Sequence, residues 1–441
     1  MEQKDSKFGF WSIVLLGINA IVGTGIFLLP NKAYALMGPA SLGVLLFDAF
    51  LAICIALCFA EVAGFFTRNG GPYLYAKHSL GDFWGFEVGV LKWIVVLIAW
   101  AVMAVGFATA LGAAIPALSG DFMKDVIATI IIVLLTVINI IGVNMTKILN
   151  NLITVSKLVP LFAFIVIGLF AINGTNFTPF VPDFVELSDG GVSGAFAATA
   201  ILLFFAYTGF EAIAVAAEDM ENPKKNLPRA IITVMIIVSV LYMLVLAVCI
   251  GIMGDSLAND KAPLQTAFGQ IMGPWGMYFV LAGTLLSMGG INIAQSFLGP
   301  RIATSLAEDG MLPSILAKRT SWGTPVVACI VTGVFSLLLA WSGSFVQLAA
   351  ISAVSRFTQY LPTCVSVIIF RKKWAHKERP YKIPGGIIIP VIAIITSLWM
   401  LAQAKPNQLI WGLGGCIIIL PLYFLYLNKK KRGLIKETEE L

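Results

Sequence analysis

The sequence predicts an all-α protein that crosses a membrane many times. Of its residues, 59% are hydrophobic and only 12% are charged. In soluble domains about 45–50% of the residues are apolar and about 25% are charged. Long apolar runs such as YMLVLAVCIGIM are continuous, and they lack the apolar–polar alternation of transmembrane β-strands. With so few charges the chain cannot cover a water-facing surface. This excludes a soluble enzyme, a nucleic-acid-binding protein and a disordered chain.

Twelve stretches are long enough to be membrane-spanning helices, because a helix needs roughly 20 apolar residues to cross the hydrocarbon. The predicted spans, numbered 1 to 12 in order, are about residues 10–36, 41–66, 84–118, 126–143, 152–172, 194–217, 230–253, 275–307, 325–341, 344–370, 387–404 and 409–427.

The basic residues predict the orientation of these spans, because Lys and Arg are retained in cytoplasmic segments. With both termini in the cytoplasm, most of the 29 basic residues fall inside. The cytoplasmic ends are then residues 1–9 and a basic tail, 428–441, which can also contact membrane lipid. Only four basic residues fall outside: Lys32, Lys124, Lys261 and Lys405.

Two spans contain features that a lipid-facing helix avoids. Span 1 reads GINAIVGTGIFLLP, with Gly23, Thr24 and Gly25 near its middle, and span 6 reads FFAYTGFEAIA, with Glu211 directly after a Thr-Gly-Phe sequence. Glycine weakens a helix interior by about 1 kcal/mol relative to alanine. A membrane-embedded carboxylate costs several kcal/mol unless it is partnered. Both spans are therefore predicted to be interrupted.

The positions of these breaks indicate an internal repeat. Each interrupted span opens a block of five, residues 10–172 and 194–370, and spans 11 and 12 at 387–427 stand outside. An odd number of helices in each block gives the blocks opposite orientations, as in many secondary transporters whose discontinuous helices meet at the bilayer midplane. Close helix crossing at small residues is the alternative explanation of the glycines.

The ends of interrupted helices favour a zwitterionic ligand. Free N–H groups at the start of a second half-helix attract an anion, and free carbonyls at the end of a first half-helix attract a cation. Together they suit an α-amino acid better than a sugar or a simple ion.

Four motifs resemble those of amino-acid permeases of the amino acid–polyamine–organocation superfamily. They are GINAIVGTGIFLLP, FFAYTGFEAIAVAAEDMENPKKNLPRAI, GPRIATSLAEDGMLPSILAKRTSWGTPVVA and QYLPTCVSVIIFRKK, in that order along the chain. The resemblance implies a LeuT-like fold: a 5+5 inverted repeat with discontinuous helices 1 and 6, followed by two additional helices.

The resemblance also implies where a substrate binds. The carboxylate would lie against the backbone of span 1, and the amino group against carbonyls at both breaks. Phe205 matches an aromatic gate, in a position where arginine–agmatine exchangers have tryptophan. Gln295 aligns roughly with a substrate-facing position, with packing against a neighbour as the alternative. The implied substrate-binding residues are Ile21, Gly23, Thr24, Gly25, Phe205, Thr208 and Gln295.

Few charges remain inside the predicted spans, and they are candidates for coupling. Lys157 resembles the fifth-helix lysine of sodium-independent family members, whose ammonium takes the place of a sodium ion; snorkelling to the interface is the alternative. Glu211 suits proton coupling or gating, or stabilisation of the interrupted helix. Asp48 and Arg356 have no partner that the sequence identifies.

These observations predict sodium-independent transport of a neutral amino acid across the plasma membrane, coupled to protons. An exchanger of amino acids, or of an amino acid for an amine, is the alternative in the same fold. A channel or a membrane enzyme is remote. We expect no metal, because the cysteines and histidines show no metal-ligand spacing. We expect no cofactor, because the sequence has no nucleotide-binding loop, and no nucleic acid, because the charge density is low.

Overall fold

In a computed structural model of the protein, the described residues are 9–66, 71–141, 147–188, 190–215, 220–320, 323–377, 379 and 381–431. Most of the predicted N-terminal segment and of the basic tail lies outside these ranges.

The regular elements of the described residues are helices joined by turns and short 3₁₀ segments. The α-helices are α1 (Phe10–Ile21), α2 (Thr24–Leu28), α3 (Pro30–Met37), α4 (Ser41–Ala63), α5 (Pro72–Leu80), α6 (Asp82–Ala114), α7 (Asp121–Ile141), α8 (Lys147–Gly168), α9 (Asp183–Glu186), α10 (Gly191–Tyr207), α11 (Glu211–Val215), α12 (Pro223–Met253), α13 (Pro263–Glu308), α14 (Val326–Trp341), α15 (Phe345–Lys373), α16 (Ile388–Gln403), α17 (Pro406–Leu413), α18 (Gly415–Ile418) and α19 (Leu420–Lys431).

Many of these helices are apolar enough to lie in a bilayer. Within the described ranges, seven helices are long and apolar enough to cross a membrane, and four shorter apolar helices accompany them. Large apolar side chains also face outward, as Phe122 and Ile130 of α7 and Ile395 of α16 do. Such a surface suits lipid rather than water. The protein is therefore an integral membrane protein.

Both predicted interruptions are present. The first lies between α1 and α2, where Val22 is extended (φ −72°, ψ 96°) and Gly23 has φ −137° and ψ −149°. The second lies between α10 and α11, where Thr208 is extended (φ −75°, ψ 151°) and Gly209 has a φ of +117°. These backbone angles end the helical hydrogen bonding, so carbonyls near each break need other partners.

Other element boundaries differ from the predicted ones. The short helix α5, which begins at Pro72, was not predicted. Span 8 belongs to the longer α13, in which Gly273 has non-helical angles. Span 12 is divided into α17, α18 and α19. Gly414 and Gly415 occur at the first division, and Pro421 in the first turn of α19 lacks an N–H donor. Short turns and proline-initiated pieces carry too little periodicity to be recognised from the sequence.

The interrupted helices lie inside the bundle. Helix α1 packs against α8, α11 and α12, and α2 packs against α6, α10 and α13. Every residue of α2 is buried. Helix α4 lies against α10, α12 and α15. The two breaks therefore form part of the protein core and do not face lipid.

We expect Gly209→Ala to destabilise the protein. A Cβ atom at this position would lie 2.3 Å from the carbonyl oxygen of Ala20, and the backbone has a φ of +117° that L side chains rarely adopt. The strain at such a position costs about 1–3 kcal/mol, so thermal unfolding of the detergent-purified protein should occur at a lower temperature. Gly43→Ala is the matched control, because a Cβ at Gly43 meets nothing within 4 Å. Equal melting temperatures for the two variants would contradict the crossing geometry.

Candidate functional site

The two helix breaks cross at very close range. The position of a Cβ on Gly25 would lie 2.8 Å from the Cα of Ala206, and that of a Cβ on Gly209 would lie 2.3 Å from the oxygen of Ala20. Only glycine leaves room for backbones this close. The two explanations of the glycines therefore hold together: Gly25 and Gly209 allow close helix packing, and both helices are also interrupted there.

The N-terminal end of α2, predicted to receive a carboxylate, is covered by side chains. A Cβ on Gly23 would meet Cδ1 of Ile291 at 2.6 Å and Cε of Met103 at 3.4 Å. The hydroxyl of Thr24 donates to the sulfur of Met103 at 3.6 Å. Both covering side chains are flexible, from α13 and α6. A ligand at these N–H groups would displace side chains and not backbone.

Lys157 of α8 connects to the end of α1. Its ammonium donates to the carbonyl oxygen of Asn19 at 2.8 Å and to that of Val22 at 2.6 Å. The hydroxyl of Ser287 of α13 also donates to Val22, at 3.1 Å. The side chain of Lys157 is fully buried, whereas snorkelling requires an exposed ammonium. The terminal amino group of Lys157 thus donates to carbonyls that α1 leaves free at the break.

Tyr242 of α12 was not identified from the sequence, yet it contacts both breaks. Its hydroxyl lies 3.1 Å from the carbonyl oxygen of Ile21 and 3.0 Å from that of Ala206. Ile21 is one of the residues predicted to hold an amino group. An aromatic residue within a continuous apolar run carries no sequence signal that separates it from an ordinary core residue.

The remaining predicted residues of α10 lie beside this contact. The hydroxyl of Thr208 donates to the carbonyl oxygen of Phe205 at 2.7 Å, and the Thr208 N–H donates to the same oxygen at 3.1 Å. The ring of Phe205 lies edge-on to that of Phe345 of α15, with 6.3 Å between centroids. The predicted aromatic gate therefore packs against a second aromatic side chain.

Glu211 binds three donors, and one of them is the arginine whose partner the sequence left open. One carboxylate oxygen forms an ion pair with Arg356 of α15. The other accepts hydrogen bonds from the Tyr360 hydroxyl at 2.9 Å and from the Gly209 N–H at 3.0 Å. Both charged side chains are buried. The cluster joins the start of α11 to α15, where breaking one partner of a buried pair leaves an uncompensated charge.

Gln295 and Asp48 are not brought into these contacts. Gln295 lies one turn after Ile291 on α13, and its amide oxygen has no hydrogen-bond partner among the described residues. Asp48 on α4 is fully buried, and neither of its carboxyl oxygens has a partner within the described part of the chain. The structure thus pairs Arg356 with Glu211, whereas Asp48 is buried without a hydrogen bond from the described residues.

Polar contacts also join elements at the two ends of the bundle. Near the C-terminal end of α4, Glu61 accepts two hydrogen bonds from Arg371 of α15, at 2.7 and 2.6 Å, and one from the Ile383 N–H at 2.8 Å. At the other end, the Tyr34 hydroxyl of α3 donates to Asp255 at 2.8 Å. The first contact joins α4 to α15, and the second joins α3 to the segment after α12, so movement of either pair of elements apart breaks a buried or half-buried polar contact.

The chain is similar in sequence to known proteins over most of its length. A sequence model described as amino acid permease matches residues 8–420. The chain belongs to the amino acid permease family. The permease is 32% identical, over 418 residues, to an uncharacterized transporter of Mycobacterium tuberculosis (strain ATCC 25618 / H37Rv); the match covers 89% of this chain and 86% of the relative.

Two relatives, both from Bacillus subtilis (strain 168), are named for the substrate that they transport. The branched-chain amino acid permease BcaP is 28% identical over 444 residues, covering 97% of this chain and 94% of the relative. The methylthioribose transporter is 27% identical over 447 residues, and the match covers 95% of this chain and 93% of the relative. The similar identity to both relatives does not distinguish between the two substrates in their names.

The permease offers no evident metal site in the ranges that the structure describes. No group of three His, Cys, Asp or Glu side chains there is placed to hold a metal ion, and all six cysteines are free thiols. The free carbonyls at the end of α1 accept hydrogen bonds from the side-chain nitrogen of Lys157.

We expect Lys157→Met to destabilise the permease. Methionine keeps an unbranched side chain only one atom shorter than that of lysine, but leaves the buried carbonyls of Asn19 and Val22 without the donor at Nζ. Each buried acceptor that loses its partner costs about 1–3 kcal/mol, although Ser287 still donates to Val22. Thermal unfolding in detergent should therefore shift to lower temperature. Lys32→Met, at an exposed lysine of α3, is the control, and an equal shift in both variants would refute the role of these hydrogen bonds.

Proposed function

We propose that the permease is a sodium-independent secondary transporter that carries neutral amino acids by alternating access. The observation that carries this proposal is the Lys157 ammonium on the carbonyls of Asn19 and Val22. A lysine at this place supplies the positive charge that a bound sodium ion would supply. Membership of the amino acid permease family supports the amino acid as cargo.

The proposed architecture is the LeuT-like fold with twelve spans. Residues 10–172 and 194–370 form the two inverted repeats, and 387–427 form the two additional helices. The paired interruptions, one in the first span of each block, support this arrangement. We place the permease in the plasma membrane with both termini in the cytoplasm, as the distribution of basic residues indicates.

We place the substrate at the crossing of the two breaks. Its carboxylate lies on the N–H groups of Gly23, Thr24 and Gly25, where the backbone of α2 begins. Its ammonium lies among carbonyls of Ile21, Phe205 and Thr208, as the resemblance to the family implies.

Binding at this place requires three side chains to move. Ile291 and Met103 cover the start of α2, and the Tyr242 hydroxyl lies on the Ile21 carbonyl. All three end in flexible or rotatable groups, so a ligand can replace their contacts without disturbing the backbone. In this proposal Phe205 then closes over the substrate as a gate, and Gln295, one turn beyond Ile291, contacts the far end of the substrate's side chain.

An apolar amino-acid side chain suits the surroundings of this site. The covering groups are the aliphatic end of Ile291, the thioether of Met103 and the rings of Phe205 and Phe345. A branched-chain amino acid matches these groups, and the relative named BcaP is a branched-chain amino acid permease. The relative named methylthioribose transporter makes a thioether-containing substrate the second candidate.

Protons are the proposed driving ion, with Lys157 and Glu211 as the coupling groups. Protonation changes at either one would alter contacts that hold a break in place: Lys157 at the end of α1, and Glu211 at Gly209 and Arg356. Exchange of one amino acid for another is the alternative mode, because it needs the same site and no driving ion.

Transport in proteoliposomes tests the mode. We expect an inward-directed pH gradient, acidic outside, to drive accumulation of radiolabelled leucine into vesicles without internal amino acid, equally well when sodium is replaced by choline. Accumulation that depends on sodium would contradict the role given to Lys157. Uptake that requires internal leucine and ignores the pH gradient would show an exchanger instead of a symporter.

A bulky residue at the start of α2 tests the site. We expect Thr24→Trp to abolish leucine binding, because the indole would occupy the place proposed for the substrate at the start of α2, where Thr24 contacts Met103. Gly43→Trp is the control of equal bulk, at a position where nothing lies within 4 Å of a Cβ. Binding is read as ligand-induced thermal stabilisation, which reports the folded state directly. An unchanged leucine response in a folded Thr24→Trp variant would refute the placement.

A further inference from the structure

A buried carboxyl group lies away from the two coupling candidates. Asp48 on α4 is 0% exposed, and both carboxyl oxygens lack a hydrogen-bond partner among the described residues. Burying an ionised carboxylate without donors costs several kcal/mol. This arrangement suits the neutral, proton-bearing acid and disfavours a permanent charge.

Tyr207, the last residue of α10, connects Asp48 to its surroundings. Its hydroxyl reaches α4 at Leu45, which lies three residues, about one helical turn, before Asp48. Its hydroxyl donates to the carbonyl oxygen of Leu45 at 3.4 Å, which is a long hydrogen bond. A stronger acceptor nearby, such as an ionised Asp48, would compete for this hydroxyl.

The connection continues to both helix breaks through Tyr242. The rings of Tyr207 and Tyr242 lie 5.4 Å apart between centroids. The Tyr242 hydroxyl then lies on the carbonyls of Ile21 and Ala206, at 3.1 and 3.0 Å. One hydroxyl has a single proton, so these two carbonyls share it. The packed rings of Tyr207 and Tyr242 therefore connect the segment of α4 that contains Asp48 to the ends of α1 and α10.

The other titratable or charged groups on helices packed against α4 have different neighbours. Helix α16 has none, and α10 has only Tyr207. On α4 and on the helices α3, α11, α12 and α15, several of these groups have partners other than Asp48: Cys54 and Cys58 with Cys364, Glu61 with Arg371, Glu211 with Arg356 and Tyr360, Tyr34 with Asp255, and Cys249 with Asp260. The remaining basic groups lie at exposed positions or near helix ends: Lys32 on the exposed side of α3, Lys224, Lys225 and Arg229 more than three turns before Tyr242, and Lys372 and Lys373 at the end of α15.

We propose that Asp48 is a proton-binding site of the permease, linked through Tyr207 and Tyr242 to the carbonyls at the two helix breaks. A proton from hydronium forms an O–H bond with the Asp48 carboxylate and leaves water; release to water reverses this step. When Asp48 is ionised, the Tyr207 hydroxyl donates to it instead of to Leu45. Tyr207 then changes its contact with Tyr242, and hence the sharing of the Ile21 carbonyl.

This proposal rests on the proposed function, because it makes the proton bound at Asp48 a driving ion for amino-acid transport. In the proposed orientation α4 begins at the outer surface, and Asp48 lies seven residues after Ser41. Seven residues correspond to about 10 Å along a helix. The site is thus nearer to the outer water than to the cytoplasm, as proton uptake from outside requires.

Two measurements on the full-length permease test the site. The first is infrared difference spectroscopy of the purified protein across a pH titration, which detects the C=O stretch of a protonated carboxylic acid. We expect a band that Asp48→Asn removes and that Asp183→Asn, at an exposed aspartate of α9, retains. An unchanged band in Asp48→Asn would overturn the proposal.

The second measurement is leucine counterflow in proteoliposomes as a function of pH. The wild-type protein and Asp183→Asn should show the same pH profile, whereas Asp48→Asn, which mimics the neutral acid, should lose the pH dependence. Tyr207→Phe should keep the infrared band but lose the pH dependence, because it removes the hydroxyl and leaves Asp48. A wild-type pH profile in both Asp48→Asn and Tyr207→Phe would overturn the link to the breaks.

The two measurements separate failure of this proposal from failure of the proposed function. If the wild-type protein shows no leucine counterflow, the proposed function is refuted for this substrate, while the infrared band still decides whether Asp48 binds a proton. If Asp48→Asn does not fold, as judged by size-exclusion chromatography, a shift in Tyr207→Phe of the pH at which the band appears supports the site. The absence of any shift contradicts it, because the Tyr207 hydroxyl would then not sense the carboxyl group.

Discussion

The structure depends on satisfying backbone carbonyls that two interrupted helices leave free inside an apolar bundle. Lipid and apolar side chains offer no hydrogen bonds, so each unsatisfied carbonyl costs several kcal/mol. Lys157 supplies a donor to Asn19 and Val22, and Tyr242 supplies one to Ile21 and Ala206. Helices α8 and α12 are therefore held to the breaks by side-chain donors as well as by apolar packing.

The same requirement explains why the contacts at the breaks can be exchanged. A donor that satisfies a carbonyl in one arrangement can be replaced by a ligand ammonium in another, provided the two arrangements have similar free energy. The Tyr242 hydroxyl and the side chains covering Gly23 are replaceable in this sense, because none of them is backbone. Gly25 and Gly209 are different, since their neighbours include backbone atoms of the opposite interrupted helix.

The sequence predicted the site in part. The breaks at Gly23 and at Thr208 and Gly209 were predicted because glycine in a membrane helix is a local signal, and the structure has both breaks. The short helix α5 and the divided α17–α19 segment were not predicted, because they lack a long periodic pattern. Tyr242 was also missed, since its role depends entirely on which carbonyls face it.

The sequence by itself determined that this is an α-helical membrane protein with two interrupted spans and a few buried charges. Composition, the length of apolar runs and the position of glycine are all given by the sequence itself. They predict membrane helices and their interruptions without knowledge of which helices pack together. Only the tertiary structure decided the partners. Glu211 meets Arg356 across 145 residues, and Lys157 meets Val22 across 135. Such pairs depend on helix packing, because a buried charge is stabilised by whichever donor or acceptor the fold brings next to it.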